Sequence, residues 1–381
     1  MDNHTSRKRI CILPNRLMLG GIEKVLIDAV RVLHTQYEIE IICCHTEVDP
    51  QVRSAIPDSV TISHRPLPKK GLGKLLAKLP WFSKGVYKKL LGNDHWDHLL
   101  VLRPSMENAV FAKRADNTVF WCHNDYYLNF VGNSLPLKKR IVKFFRRSIY
   151  KKYDMIWTVS EPLAEEMAAC FSLSNVHALP NPLDCQTIVA QSQKECDLTT
   201  DPLHIHFIMI GRMSEEKGFH RVLHFMCNNV LPKYPNARLW VIGRDTNDIR
   251  VQERVERLGV SDQVCLLGPK GNPYPYLKQA QFLICPSTWE SFGLVILEAM
   301  LLGVRVITTD TVGGIYTTQN GTLAHCVPNT DQALQTAVEG YLQDINSYPY
   351  DMEKARQWAE AHDITRFAQT LQTLLQTGEA K

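Results

Sequence analysis

The 381-residue sequence lacks the signatures that mark secreted, disulfide-linked and membrane-spanning proteins. Its eleven cysteines are odd in number and contain no C-x-x-C pair, which argues against a disulfide framework. No uninterrupted apolar span reaches the roughly 20 residues that cross a bilayer, and the apolar run at 10–13 is too short for the core of a signal peptide. We therefore expect a cytoplasmic protein with reduced cysteines, no secretion signal and no membrane-spanning segment.

The dinucleotide fingerprint G-x-G-x-x-G is also missing, although the chain opens with the βαβ pattern in which it would lie. Residues 9–13 predict a strand, residues 22–30 an amphipathic helix and residues 38–44 a second strand. Gly20 and Gly21 lie between the first strand and the helix. They could admit a close backbone approach to an anionic group or simply form a tight turn, and this fragment favours neither. An NAD-dependent enzyme is disfavoured.

The composition is that of an ordinary globular protein, with 45% hydrophobic and 22% charged residues, and the length favours two domains. Predicted strands and helices alternate on both sides of a polar, Gln/Ser/Thr-rich segment at 184–202, which we interpret as the inter-domain linker. The pattern at 352–375 predicts a helix. The expected fold is α/β, with an N-terminal domain at 1–190, a C-terminal domain at 200–357, and a helical segment at 358–381 that packs back on the N-terminal domain.

Positive charge is concentrated in two blocks, although the net charge of only +4 implies no nucleic-acid partner. Residues 69–89 carry seven lysines and no acid, interleaved with Leu, Trp, Phe and Val. Residues 138–152 carry eight Lys and Arg side chains that alternate with Ile, Val and Phe. Basic helices with large apolar side chains on the other face are typical of proteins that bind an anionic membrane surface. We rank that interpretation slightly ahead of packing on the protein's own core, and no recognised nucleic-acid-binding motif accompanies the charge.

The stretch at 285–300 carries the clearest indication of a ligand site. The apolar run at 282–285 predicts a buried parallel strand, a proline closes it, and Gly293 marks the start of a helix. Glu290 and Glu298 are eight residues apart, which on a helix is about 12 Å along the axis and roughly the same side. Two such carboxylates could accept hydrogen bonds from ligand hydroxyls while the helix N-terminus meets a phosphate. The apolar neighbours of Glu298 argue against a merely solvated residue.

A second candidate follows the predicted strand at 117–121, which ends in Cys122-His123-Asn124-Asp125. Polar groups beyond the carboxyl end of a parallel strand are where ligands bind in open α/β sheets. A lone histidine is more often structural, so the position alone makes His123 a weak candidate.

An ordered set of motifs runs through the chain: Gly20-Gly21-Ile22-Glu23, Gly211-Arg212 with Lys217-Gly218, Glu290-x7-Glu298 around Ser291-Phe292-Gly293, Gly313-Gly314 and Asn320-Gly321. In these motifs the chain resembles the retaining glycosyltransferases of family 4, which have the GT-B architecture. The resemblance covers essentially the whole chain. It implies two doubly wound Rossmann-like domains with a cleft between them.

The resemblance also implies roles for individual residues. Arg212 and Lys217 would bind the diphosphate of a nucleotide-sugar and stabilise the charge that develops as it leaves. Glu298 would hold the ribose and Glu290 the transferred sugar, and His123 matches a histidine near the reacting sugar. The other donor-binding residues would bring backbone groups close to the donor: Gly20, Gly21, Ser291, Phe292, Gly293 and Leu294.

We therefore expect a retaining hexosyltransferase with a nucleotide-sugar, UDP-linked, as co-substrate. Its acceptor would be a saccharide or glycolipid of cell-surface polysaccharide or lipopolysaccharide biosynthesis, at the cytoplasmic face of the membrane. The alternatives are another GT-B enzyme, such as a nucleotide-sugar epimerase, and a non-catalytic nucleotide-sugar-binding protein. Since no D-x-D sequence offers a carboxylate pair for a bridging metal, we predict no metal and no cofactor.

Overall fold

The computed structural model of the chain describes residues 7–14, 17–18, 20–43, 48–65, 94–102, 114–123, 136–198, 200–246 and 249–377. The basic block at 69–89 lies outside these residues. The chain divides into two compact units. Unit 1 runs to Pro182 and is completed by the residues from Thr365 onward, whereas unit 2 runs from Leu183 to Ile364.

Unit 1 is built on a parallel sheet of seven described strands in the order β3-β2-β1-β4-β5-β6-β7. The strands are β1 Arg9–Leu13, β2 Glu38–Cys43, β3 Thr61–His64, β4 Trp96–Val101, β5 Ala115–Cys122, β6 Met155–Thr158 and β7 Val176–Ala178. The order reverses at β1 and β4, as in doubly wound folds. The central strands are apolar over most of their length because helices cover both faces of such a sheet.

The described helices of unit 1 before its last segment are α1 Gly21–Leu33, α2 Pro50–Ala55, α3 Leu137–Tyr150 and α4 Glu161–Phe171. Side-chain caps fix two of their starts. Asp49 accepts a hydrogen bond from the backbone N–H of Gln51 at 2.9 Å, and Ser160 accepts one from that of Leu163 at 3.4 Å. Such caps pair backbone donors that the first turn of a helix leaves unpaired.

Unit 2 has a second parallel sheet, in the order β10-β9-β8-β11-β12-β13. Its strands are β8 Ile205–Ile210, β9 Ala237–Ile242, β10 Val264–Gly268, β11 Phe282–Cys285, β12 Arg305–Thr309 and β13 His325–Val327. Its described helices are α5 Cys185–Ser192, α6 Phe219–Phe225 (continued by a π turn), α7 Ile249–Arg257, α8 Tyr274–Gln279, α9 Leu294–Leu301, α10 Val312–Thr317, α11 Asp331–Gln343 and α12 Met352–Glu360. The strand order reverses between β8 and β11, so the loops that follow these two strands meet at one edge of the sheet.

The polar segment at 184–202 differs from the predicted irregular linker. It contains α5, whose start is capped by Asp184, which accepts a hydrogen bond from the backbone N–H of Thr187 at 3.0 Å. The helix packs against α8. The chain passes between the units at Pro182–Leu183, upstream of the boundary expected between 190 and 200.

The C-terminal segment also differs from the single helix predicted at 352–375. It forms α12 and a separate helix α13, Ile364–Thr377, with a break between them. In unit 2, α12 packs on α9, whereas α13 joins unit 1, where the ring of Phe367 stacks on Trp121 with 6.2 Å between centroids. Neither a glycine nor a proline marks the break at 361–363, so the pattern predicted one continuous helix.

Helix α3 carries most of the second basic block. Its one buried residue is Tyr150, at its last position. Large apolar side chains are exposed along it, with relative exposures of 71% for Leu137, 69% for Phe144 and 58% for Phe145. Among the helices in the described part of the chain, none is long and apolar enough to cross a membrane.

Candidate functional site

The loop between β11 and α9, residues 286–293, forms the centre of the candidate site in unit 2. Gly293 ends this loop with a φ of +85°, a left-handed conformation that is strained for a residue with a Cβ. Glu290 therefore lies in the loop, and Glu298 lies in the second turn of α9. The interpretation that both carboxylates project from one helix is wrong, because the helix begins only at Leu294.

The loop after β8 carries Arg212 and Lys217 to the same edge of the sheet. Gly218 ends a short 3-10 turn there with a φ of +65°, and a Cβ on Gly218 would lie 2.0 Å from the carbonyl oxygen of Pro286. The backbone N–H of Thr288 donates to the carbonyl oxygen of Glu216 at 2.8 Å. The two loops therefore pack backbone against backbone, which only glycine permits at position 218.

The side chains of the two loops meet in an ion pair. Lys217 Nζ donates to Glu290 Oε2 at 2.5 Å, and Ser287 Oγ donates to the same oxygen at 3.2 Å. Burial by itself lowers the pKa of Lys217, but the nearby carboxylate of Glu290 and its hydrogen bond help to outweigh burial, so that the pKa lies above its ordinary value. The positive charge of Arg212 acts on the same pKa in the lowering direction, so a second cation is within electrostatic reach.

The first turn of α10, after β12, supports the loop at 286–293. The backbone N–H of Gly313 donates to the carbonyl oxygen of Glu290 at 2.8 Å, and a Cβ on Gly313 would lie 2.5 Å from the backbone nitrogen of Phe292. The buried ring of Phe292 packs beside Tyr316 and His362, with centroid distances of 5.6 and 5.8 Å. These contacts hold the loop at 286–293 against α10 and against His362.

Glu298 is 8% exposed and has a specific partner. The hydroxyl of Tyr274, at the start of α8, donates to Glu298 Oε1 at 3.1 Å. Sequence reasoning missed Tyr274. Its only local signal is the unusual pair of prolines on either side, Pro273 and Pro275, which mark a loop with restricted backbone angles.

The glycines at the start of α1 lie in unit 1, after β1. Gly20 is extended, with a φ of −174°, and a Cβ there would meet only the movable carboxylate of Glu23 at 2.7 Å. A Cβ on Gly21 would meet nothing within 4 Å. Among the described residues of unit 1, none would meet a Cβ at Gly21, so their packing does not explain a glycine there.

His123 lies directly after β5 and is 9% exposed, with its ring 4.7 Å from that of Trp121. Neither ring nitrogen has a hydrogen-bond partner among the described residues. Burial lowers the pKa of His123 to about 3, so the imidazole is neutral near pH 7. A neutral imidazole can donate from one nitrogen and accept at the other.

The predicted site residues thus fall into two groups, each at the carboxyl edge of its own sheet. In unit 1, these are Gly20, Gly21 and His123. In unit 2, the structure brings together the loops and helix start that carry Arg212, Lys217, Glu290, Ser291, Phe292, Gly293, Leu294 and Glu298. The unit 2 group combines two cations with a helix start, which suits a phosphate, and adds carboxylates, which suit hydroxyls.

No group of three or more His, Cys, Asp or Glu side chains that could hold a metal ion occurs within the described ranges. The arrangement instead offers fixed cations for an anionic ligand. Metal independence of the reaction stays a prediction.

Both halves of the chain match models of known families. Residues 19–187 match the model described as Glycosyltransferase Family 4, and residues 200–362 match the model described as Glycosyl transferases group 1. The two matches together cover most of both units.

Individual relatives extend the comparison. An uncharacterized glycosyltransferase of Methanocaldococcus jannaschii is 29% identical over 217 residues, which cover 53% of this chain and 50% of the relative, so the chain spans about half its length. In Campylobacter jejuni, an N-acetylgalactosaminyltransferase named for a diphospho-undecaprenol-linked saccharide is 23% identical over 305 residues, covering 77% of this chain and 79% of the relative. Further relatives, named for lipopolysaccharide core or capsular polysaccharide biosynthesis, are matched over only 33% to 47% of their own length.

The fold has close counterparts among solved structures. The crystal structure of HepE from Anabaena, in complex with UDP and glucose, superposes with a TM-score of 0.70 at 16% identity, covering 97% of this chain and 99% of that chain. The family matches and the two doubly wound parallel sheets together confirm the resemblance drawn from the motifs. The chain therefore belongs to glycosyltransferase family 4 and has the GT-B fold.

Proposed function

We propose that this protein is a retaining, metal-independent hexosyltransferase that takes its sugar from a UDP-linked donor. The observation that carries the proposal is the contact between Lys217 and Glu290 at the start of α9, with Arg212 within electrostatic reach. It joins a cation suited to the leaving diphosphate to a carboxylate suited to the transferred sugar. An epimerase or a non-catalytic binding protein needs no acceptor, and the donor assay below distinguishes both from a transferase.

The chemistry requires this arrangement of charges. Breaking a glycosyl–phosphate bond leaves negative charge on the diphosphate and positive charge on the sugar. Lys217 and Arg212 stabilise the first, and the carboxylate of Glu290 faces the second. Lys217 donates a hydrogen bond to Glu290 in the structure. A bound diphosphate must therefore either share the ammonium group of Lys217 with Glu290 or displace Glu290 from it. A fixed cation aimed at developing charge is worth about 3–4 kcal/mol, by analogy with oxyanion-hole donors.

The names of similar proteins support the choice of substrates. HepE was crystallised with UDP and glucose, which supports a UDP-linked hexose as donor. The Campylobacter jejuni relative is named for a lipid-linked saccharide, and others are named for lipopolysaccharide core or capsular polysaccharide. We therefore propose a saccharide or glycolipid acceptor in the biosynthesis of cell-surface polysaccharide or lipopolysaccharide.

A donor panel tests the proposal directly. Purified protein is incubated with UDP-, GDP- and ADP-sugars, with and without extracted glycolipid, and consumption of donor and formation of product are measured. Lys217→Ala should lower kcat/KM by about 100-fold to 1,000-fold, whereas Lys233→Ala, at an exposed lysine of the same unit, should leave it unchanged. If the wild type neither binds nor consumes any nucleotide-sugar, the proposal is wrong.

Glu290→Gln separates sugar orientation from diphosphate binding. The change removes the carboxylate that occupies Lys217, so UDP should bind at least as tightly as to the wild type. Transfer should nevertheless fall, because the sugar loses its carboxylate. Isothermal titration with UDP and a transfer assay on the same preparation measure the two effects. Equal losses in both would contradict the separate roles of Lys217 and Glu290.

We also propose that the protein binds the cytoplasmic face of the membrane through α3. The helix carries six Lys and Arg side chains and no acid, and its apolar side chains from Leu137 to Phe145 are exposed, whereas Tyr150 at its last position is buried. This exposure favours a membrane surface over the alternative, in which the apolar side covers the protein's own core. Such a position would bring the enzyme to a lipid-linked acceptor.

Vesicle co-sedimentation tests the membrane proposal. Binding should require anionic lipid and weaken as salt rises. The double change Lys138→Gln and Lys139→Gln should reduce binding on the order of 30-fold, at about 1 kcal/mol for each lysine. The control, Lys233→Gln with Lys354→Gln, removes the same charge from exposed positions in unit 2 and should have no effect. Binding that ignores both salt and lipid charge would rule out this surface.

A further inference from the structure

Tyr274 contacts Glu298, the carboxylate that would hold the ribose of the donor according to the resemblance to family 4. Its hydroxyl donates to Glu298 Oε1 at 3.1 Å, and its ring is half-buried at the start of α8. We propose that Tyr274 is a positioning residue that orients Glu298 for the ribose hydroxyls and so sets the preference of the donor site for a ribonucleotide. The inference rests on the proposed function, and the experiment below separates the two.

The segment around Tyr274 is held more firmly than a surface loop requires. Asn272 Nδ2 donates to the carbonyl oxygen of Gln191 at 3.0 Å and to its side-chain oxygen at 3.1 Å, and Asn272 Oδ1 accepts from the backbone N–H of Tyr274 at 3.2 Å. The flanking prolines, Pro273 and Pro275, restrict the backbone on either side. The phenol therefore reaches Glu298 from a fixed backbone.

Two further contacts fasten the same segment to the chain that follows α5. Lys270 Nζ donates to Asp197 Oδ2 at 3.0 Å, and the hydroxyl of Tyr276 donates to the other oxygen of Asp197. Tyr276 thus has the same chemistry as Tyr274, only two residues away, but its hydroxyl binds a different carboxylate. Tyr276→Phe is therefore a matched control for Tyr274→Phe.

The hydrogen bond from Tyr274 holds the flexible side chain of Glu298 in one orientation, in which its carboxylate can accept hydrogen bonds from a ribose. A hydrogen bond from a phenol to an ionised carboxylate is charge-assisted and strongly oriented. A carboxylate has about four acceptor sites on its two oxygens, and the bond from Tyr274 uses one of the sites on Oε1. With the orientation of Glu298 already fixed, less rotational freedom is lost when the nucleotide binds, and binding is correspondingly tighter.

The effect should be confined to ligands that carry ribose hydroxyls. Loss of the phenol hydroxyl should weaken UDP about threefold to tenfold, the range of one hydrogen bond, and should leave 2′,3′-dideoxy-UDP within about twofold. Because Tyr274 bonds to the carboxylate assigned to the ribose and not to Lys217 or Glu290, KM for the donor should rise while kcat stays unchanged. A role only in folding would weaken both nucleotides alike.

Isothermal titration of the full chain with UDP, 2′,3′-dideoxy-UDP, GDP and 2′,3′-dideoxy-GDP tests the inference. The wild type should prefer a ribonucleotide over its dideoxy form, and Tyr274→Phe should reduce that ratio while Tyr276→Phe keeps it. Glu298→Gln should reduce the ratio as well, and adding Tyr274→Phe to it should change little more, since both act through one carboxylate. Melting temperatures of all variants show that they are folded.

The outcomes distinguish a failure of the role of Tyr274 from a failure of the proposed function. If the wild type binds no nucleoside diphosphate, the proposed function fails and the role of Tyr274 fails with it. If the wild type prefers ribonucleotides and Tyr274→Phe keeps the full preference, or weakens both forms equally, only the role of Tyr274 is overturned. A preference that disappears in Tyr276→Phe as well would attribute the effect to the loop rather than to the contact with Glu298.

Discussion

His123 offers a direct test of how deeply the end of β5 is buried. Burial holds its pKa at about 3, against about 6.5 for an unperturbed histidine. Below pH 6.5 the unfolded chain therefore binds a proton that the folded chain does not, so the free energy of unfolding falls as the pH falls from 6.5 towards 3. From pH 7 to pH 5, one such group accounts for a loss of about 2 kcal/mol.

The substitution His123→Gln should remove this loss, because glutamine keeps a polar side chain of similar size and does not titrate. Urea unfolding at pH 7 and pH 5, with the transition of each unit fitted separately, measures the difference between wild type and variant. His95→Gln, at an exposed histidine of the same unit, should keep the wild-type pH dependence to within about 0.5 kcal/mol.

Two results would refute this reasoning about His123. One is an equal loss of stability between pH 7 and pH 5 in wild type and His123→Gln. The other is an imidazole signal of His123 that titrates near pH 6.5 in NMR spectra of the folded protein. Either would mean that water or a charged partner reaches the ring, and that burial does not keep the imidazole neutral at acidic pH.

Three further predictions concern the stability of the loops in unit 2 and the metal independence of the reaction. Gly218→Ala should destabilise the protein by about 3 kcal/mol or more in urea unfolding, because its Cβ would meet the carbonyl oxygen of Pro286 at 2.0 Å. The control, Gly259→Ala, has a similar φ of +67° and no described atom within 4 Å of the new Cβ, so it should cost only about 1 kcal/mol. Arg221→Met should lower the free energy of unfolding by about 1–3 kcal/mol and raise the donor KM, because the side chain loses its hydrogen bonds to Pro286 and Asp331. An unchanged KM would mean that Arg221 does not hold the loop at 286–293. Dialysis against EDTA should leave the transfer rate unchanged, and activity that is lost and then restored by Mn²⁺ would disprove metal independence.

The features that the sequence predicted well have local signals. The run Phe282–Cys285 is apolar and bounded by proline, and β11 has the same bounds. The start of α9 was expected at Gly293, where the structure has the left-handed residue directly before the helix. The apolar surroundings of Glu298 correctly indicated that its carboxylate is buried.

Contacts between distant segments left no such signal. Lys217 and Glu290 are 73 residues apart, and the motifs assigned them to different parts of a donor, so their ion pair was not predicted. The bond between Tyr274 and Glu298 joins α8 to α9 across 24 residues of sequence, and it depends on how α5 packs against both of these helices. Such pairings are set by tertiary packing, which neither periodicity nor propensity encodes.

The position of α13 has a consequence for the order in which the protein folds as it is synthesised. Unit 2 has all its residues once Ile364 has been made, and its two ends are joined there by hydrogen bonds of 2.8 and 2.9 Å between Leu183 and the chain at 362–364. Unit 1 begins earlier but lacks Phe367, the stacking partner of the buried Trp121, until all of unit 2 has been made. The half that emerges first from the ribosome is therefore the last to be completed, and it exposes part of its core for the whole time that unit 2 is being made.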